Sequence, residues 1–181
     1  TPYPLAVGLF AVSAAAMHGS IFLHLKTEGA LQERVHGWMW RTFGAFLVLY
    51  VGVTIMTLVS VPHAVASFER WPAAWIVVVL NVLAVANIPR AIHLGRPGYA
   101  FVSSCCTIAA LVFLFGMALF PHLVVSSSEH AGLTIRNAAS SETTLELMAI
   151  IAAIGMPFVA TYTGIVYWVF RGKVKLGQFS Y

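Results

Sequence analysis

The chain of 181 residues is 60% hydrophobic and 9% charged, whereas soluble domains carry about 25% charged residues. Ten Lys and Arg against six acidic residues, all of them Glu, leave a formal net charge of +4 at pH 7. So apolar a composition excludes a water-soluble globule; Glu28, Glu33, Glu69, Glu129, Glu142 and Glu146 offer no catalytic carboxylate pair, and the dispersed cations form no patch for nucleic acid.

Five stretches reach the roughly 20 apolar residues that a bilayer-spanning helix requires. The first is predicted at Leu5–Leu25, after an opening with Pro2 and Pro4 but no basic n-region, hence no visible secretory signal. A chain that opens on Thr1 is expected to be trimmed or part of something longer. Within this span Ala11, Ala15 and Gly19 form a small-residue row suited to close helix contact. His18, the only histidine well inside a span, reads as a core hydrogen-bonding residue or, alternatively, as a member of a proton path. The second span is predicted at Phe43–Val61, with Gly44 and Gly52 in similar packing roles and Thr54 at depth. The third runs over Ala73–Ile92 and carries Asn81 and Asn87. The fourth, Tyr99–Phe120, contains Thr107, Gly116 and the adjacent Cys105 and Cys106, which fit no disulfide framework or C-x-x-C pair and are expected to be buried free thiols. Pro62, Pro72, Pro97 and Pro121 mark the ends of these runs, where a residue with fixed φ and no N–H costs least.

Residues 1–122 are thus expected to form a transmembrane four-helix bundle, followed by an outer loop over 123–142. Its Ser126, Ser127, Thr134, Asn137, Ser140 and Ser141 favour turns held by side-chain to backbone bonds. The final span, over 143–170, is expected to open with a capping box between Thr143 and Glu146 and to kink at Pro157, and 171–181 forms a basic tail. Five crossings put the ends on opposite sides. Lys26, Arg34, Arg41, Arg90, Arg96, Arg171, Lys173 and Lys175 then fall on one side and only Arg70 and Arg136 on the other, so the N-terminus is expected outside and the C-terminus inside.

Seven histidines raise the alternative of a small bis-His cytochrome b, since two imidazoles at matched depth hold a haem. The candidate pairs are His63 with His122 at the outer side and His24 with His93 at the inner. A second alternative is a transporter half lined by His18, Asn81 and Asn87. There is no phosphate loop, zinc spacing or nucleophile-plus-base pattern.

Leu119-Phe120-Pro121, the following Ser126-Ser127, the segment Leu133 to Ser141, and Tyr167-Trp168-Val169-Phe170-Arg171-Gly172-Lys173 resemble the C-terminal part of subunit II of cytochrome bd-type quinol oxidases. Leu25-Lys26-Thr27-Glu28-Gly29 resembles the end of the first helix of that family's second half. The resemblance implies an all-α polytopic membrane protein, with a four-helix bundle and one peripheral helix. It further implies a complex of the bacterial cytoplasmic membrane that oxidises quinol, reduces oxygen to water and generates a proton motive force. In that complex, haems b and d reside in the partner subunit I, and an N-terminal half of subunit II accompanies this chain. The resemblance assigns this chain no cofactor and no catalytic or metal-binding residue. It leaves a scaffold that contacts membrane lipids and has room for a bound quinone or lipid tail.

Overall fold

In the computed structural model, which describes residues 2–61, 68–69, 71–124 and 132–173, five helices carry nearly all of the regular structure. They are α1 (Pro2–Lys26), α2 (Gly29–Ser60), α3 (Ala74–His93), α4 (Pro97–Leu119) and α5 (Glu142–Val169). All five are long and apolar enough to cross a membrane. The predicted multi-pass, all-α architecture is therefore what the chain adopts. The sole sheet among the described residues is an antiparallel pair of β1 (His122–Val124) and β2 (Leu133–Thr134), with His122 opposite Thr134 and Val124 opposite Leu133.

The chain divides into two units, one holding α1 to α4 and the other spanning Pro121–Lys173. In the first, each helix buries one stripe at helical spacing. On α2 the stripe is Val35, Met39, Phe43, Phe46 and Val53; on α3 it includes Asn81, Val85, Ile88 and Ala91. Met17 and Ile21 of α1, Phe46 of α2 and Ile88 of α3 are completely buried and form one cluster with Ala100 of α4. Phe10 stacks on Phe46 at 5.5 Å, and Phe46 meets Tyr50 at 5.8 Å. The opposite faces are apolar too: Leu5 is 74% and Val59 75% exposed, as expected of a surface that meets hydrocarbon.

Three expectations need correction. The second helix begins at Gly29, fourteen residues before Phe43. Ala30, Leu31, Gln32, Glu33 and Arg34 are good helix formers, and the buried stripe already starts at Val35, so the helix extends beyond the apolar run to roughly 48 Å. Gly19, Gly44, Gly52 and Gly116 do not bring helices together, because a Cβ at any of them would meet nothing within 4 Å among the described residues. Ala11 and Ala15 are exposed; α1 packs through Met17 and Ile21 instead. Finally, Cys105 and Cys106 are free but exposed. Ser103, Ser104 and Thr107 take the inward face of α4, and the helical turn sends the intervening residues outward.

The α3–α4 connection is a Schellman motif. Arg96 N–H donates to Ala91 O at 2.9 Å and Gly95 N–H to Ile92 O at 3.1 Å, with Gly95 at φ 65° and Pro97 opening the next helix. Gly95→Ala forces a side chain into the left-handed region and should destabilise the purified protein by about 1–2 kcal/mol. Gly116→Ala, at a helical site with open space, should be neutral or stabilising in the same unfolding titration, and equal losses at both positions would contradict this account.

Candidate functional site

The inward face of α4 is polar. Ser103 is 8% exposed and Ser104 and Thr107 are fully buried, at spacings that place all three on one side of the helix. Each meets a side chain or backbone group that joins it to another helix. Asn81 of α3, itself fully buried, accepts from the Tyr50 hydroxyl of α2 at 2.8 Å and donates to the Thr107 carbonyl at 3.1 Å. One amide thereby ties three helices. Asn87 donates to Ser103 Oγ at 2.8 Å and accepts from Arg90 at 3.1 Å.

His18 of α1 completes the seam, with Nδ1 lying 2.8 Å from Ser104 Oγ and its ring stacked on Phe101 at 5.0 Å. Ser104 gives its single hydroxyl hydrogen to the Phe101 carbonyl at 2.7 Å, so Oγ accepts from His18 and the Nδ1–H tautomer is assigned. The His18 proton is thus engaged in a core hydrogen bond. Thr107 Oγ1 is buried with no hydrogen-bond partner among the described residues. Elsewhere Ser20 pairs with Thr42 at 2.9 Å and Tyr3 with Thr57 at 2.9 Å, both linking α1 to α2, while Thr54 bonds to the Tyr50 carbonyl. The first two pairs couple helices, Thr54 bonds within its own, and in the Ser104–His18 pair the imidazole donates to the hydroxyl and so does not act on it as a base.

Of the histidine pairs suggested by the sequence, only His24 and His93 both lie among the described residues, and there they make no ring contact or hydrogen bond with each other. His63 lies outside the described residues, and His122 is exposed on β1. His24 has its ring contact with His36, at 5.6 Å, and His93 is exposed at the end of α3 without a ring contact or hydrogen bond among the described residues. No group of three metal-ligating side chains occurs among the described residues.

In the loop over 123–142, Ser126 and Ser127 lie outside the described residues. Thr134 and Asn137 come together: Asn137 Oδ1 accepts from Thr134 N–H at 2.6 Å, and Thr134 Oγ1 accepts from Asn137 N–H at 3.1 Å. Asn137 Nδ2 also donates to the Gly132 carbonyl at 3.1 Å, and Ile135 N–H donates to the carbonyl of Pro121, the residue before β1, at 3.0 Å. Ser140 is exposed. The expected Thr143–Glu146 box is replaced. Ser141 is the N-cap of α5, with φ −58° and ψ 152°, and its hydroxyl pairs with Thr144 at 2.8 Å, so Thr143 is already inside the helix. Glu142 takes the first turn, where the helix dipole favours a carboxylate.

Reasoning from sequence passes over Tyr50, Ser103 and Ser104. Their signal was present in the spacing of Ser103, Ser104 and Thr107, three small hydroxyls on one face of an apolar helix. A double-mutant cycle of Tyr50→Phe and Asn81→Leu should give a coupling of about 0.6 kcal/mol, and at most about 1.7, the range for hydrogen bonds between membrane helices. Additive losses in mixed-micelle unfolding would mean that the pair does not hold α2 to α3.

Comparison with known proteins supplies the context for this seam. The sequence model of the family described as cytochrome bd terminal oxidase subunit II matches residues 1–170. The chain is 26% identical to the cytochrome bd-I ubiquinol oxidase subunit 2 of Escherichia coli strain K12, over 96% of its own length and 53% of the relative's. It is 29% identical to the cytochrome bd ubiquinol oxidase subunit 2 of Bacillus subtilis, over 96% of this chain and 51% of that protein. It is 27% identical to a probable cytochrome oxidase subunit 2 of Haemophilus influenzae, over 90% and 50% respectively. The chain spans about half the length of the curated relatives it matches. With its five apolar helices and a match that runs nearly end to end, the chain belongs to the cytochrome bd terminal oxidase subunit II family.

Proposed function

We propose that this chain is the second half of a subunit II and serves as the haem-free scaffold of a quinol oxidase complex. The observation that carries the reading is the family match over residues 1–170. The complex oxidises membrane quinol, reduces oxygen to water and generates a proton motive force. Haems b and d sit in a partner subunit I, and an N-terminal half of subunit II completes the assembly. A bd-I relative is named a ubiquinol oxidase, which supports quinol as the electron donor.

This chain contributes no catalytic side chain in that reading. The polar seam supports a structural role, because its hydrogen bonds run from one helix to another and His18 donates its proton to Ser104. The outward apolar faces then serve lipid, the partner subunit, or the tail of a bound quinone. Helices α1 to α4 form the bundle and α5 a peripheral helix that tilts or bends at Pro157 to fit the bilayer. The turn around Thr134 and Asn137 belongs to the outer loop of residues 123–142, and residues 171–181 to the inner tail.

The membrane is the bacterial cytoplasmic membrane, with the N-terminus outside and the C-terminus inside. Support comes from the cations at the proposed inner ends, three of which lean on aromatic rings: Lys26 on Phe22 at 5.7 Å, Arg96 on Tyr99 at 5.9 Å and Arg171 on Trp168 at 5.2 Å. With Cys105 and Cys106 replaced by Ser, a cysteine at Ala139 should react with an impermeant maleimide in right-side-out vesicles and one at Gly172 should not. The reverse pattern would invert the topology. Purification from native membranes should bring down a haem-bearing subunit and an N-terminal partner. Reduced-minus-oxidised bands should persist in His18→Ala and His122→Ala variants of that complex. A haem retained by this chain alone would overturn the scaffold reading.

A further inference from the structure

The inner end of the α3–α4 hairpin carries a feature that the seam does not use. A cleft of about 180 Å³ opens there, lined by Asn87, Arg90, Ala91, Leu94, Arg96 and Tyr99. Two of its six lining residues are arginines, and neither has a carboxylate within ion-pair distance among the described residues. Arg90 donates only to the neutral Asn87 amide, and Arg96 lies over the Tyr99 ring. Arg90, in the last turn of α3, is in a place where the helix dipole favours a cation. Arg96 is not: it is the N-cap of α4, makes no side-chain cap hydrogen bond, and adds its charge to the positive end of that helix. The Schellman turn at Gly95 fixes the link between the two arginines. The site therefore concentrates positive potential without a counter-charge among the described residues.

Its position says which anion can reach it. The cleft lies where two spanning helices end, and Leu94 and Tyr99 on its rim are 54% and 63% exposed, offering apolar surface beside the charge. A ligand with an anionic head and a hydrocarbon body satisfies both halves. We propose that this cleft binds the phosphate of an anionic membrane lipid, with Arg90 and Arg96 as the cationic clamp, Asn87 holding the Arg90 guanidinium, and Tyr99 and Leu94 flanking the start of the acyl chains. Arginine suits this place because its planar fork pairs two phosphate oxygens at once.

The test is native mass spectrometry of the complex purified in detergent, titrated separately with phosphatidylglycerol and phosphatidylcholine of the same chain length. Phosphatidylglycerol should be retained preferentially. Arg90→Gln and Arg96→Gln should each weaken that retention roughly fivefold, and the double variant about twenty-five-fold, as expected for cations beside a charged lipid surface. The pair Arg34→Gln and Arg41→Gln removes equal charge from exposed positions on α2 and should leave the preference unchanged. Excess inorganic phosphate should fail to displace the lipid, since it lacks the acyl chains that the rim contacts. Equal retention of the two lipids would overturn the proposal. So would an equal loss in the α2 control, which would assign the effect to the general field of the protein. Displacement by inorganic phosphate would likewise overturn it, by making the site one for free anions. Because the readout is lipid mass, it stands or falls independently of haem content and oxidase activity.

Discussion

In hydrocarbon an apolar side chain gains nothing by leaving its solvent for a neighbouring helix, so packing and hydrogen bonds must hold membrane helices together. The inner face of α4 meets this constraint with Ser103, Ser104 and Thr107, small enough for close approach and polar enough to reward it. The rest of the bundle answers to that face. His18 brings α1 to it, Asn81 and Asn87 bring α3, and Tyr50 brings α2 through the Asn81 amide. The Phe10–Phe46–Tyr50 rings and the Met17, Ile21 and Ile88 side chains fill the space between, without the directionality that selects one arrangement over its alternatives.

The existence and order of the spans were legible in the sequence because hydropathy measures the property that the bilayer selects. Their limits followed different physics. The start of α2 depends on backbone propensity and on a stripe beginning at Val35, and a count of apolar residues cannot see either beneath Glu33, Arg34 and Arg41. The start of α5 was misplaced by two residues because Ser141 and Thr143 are both capable caps, and backbone geometry chose the first. Glycine spacing misled for a related reason: Gly19 and Gly116 permit close approach, but only the three-dimensional pairing decides whether a neighbour comes. The cysteines were placed by their apolar surroundings, which in a membrane protein describe the lipid face as well as the core.

Polar residues in the spans were the more informative signal, although only some of them carried it. Asn81, Asn87, His18 and Thr107 all lie in or beside the seam, whereas Thr54 returns its hydroxyl to its own helix. The difference is one of phase around the helix, with the buried stripe of α2 passing through Val53 and leaving Thr54 outside. Phase likewise separates the cations at the helix ends: Lys26 and Arg96 set their charged heads over aromatic rings, and Arg90 instead points to an amide that the seam already holds. The cleft beside it is thus built on the same scaffold as the core.

The connections between helices divide the bundle mechanically. Only Thr27 and Glu28 separate α1 from α2, and only Leu94 to Arg96 separate α3 from α4, the latter closed by two backbone hydrogen bonds. Such short links allow the paired helices little freedom to part, so the four helices act as two stiff hairpins. Relative motion must then run along the plane between the hairpins, and that plane is crossed by His18–Ser104 at one flank and Tyr50–Asn81 at the other. Sliding along it breaks those two hydrogen bonds and the interlocked packing of Met17, Ile21, Phe46 and Ile88, and splaying it open exposes the hydroxyls of α4 to hydrocarbon. The two hairpins are thus held by directional bonds at the flanks and by close packing between them, so a polar contact and an apolar one guard the same plane.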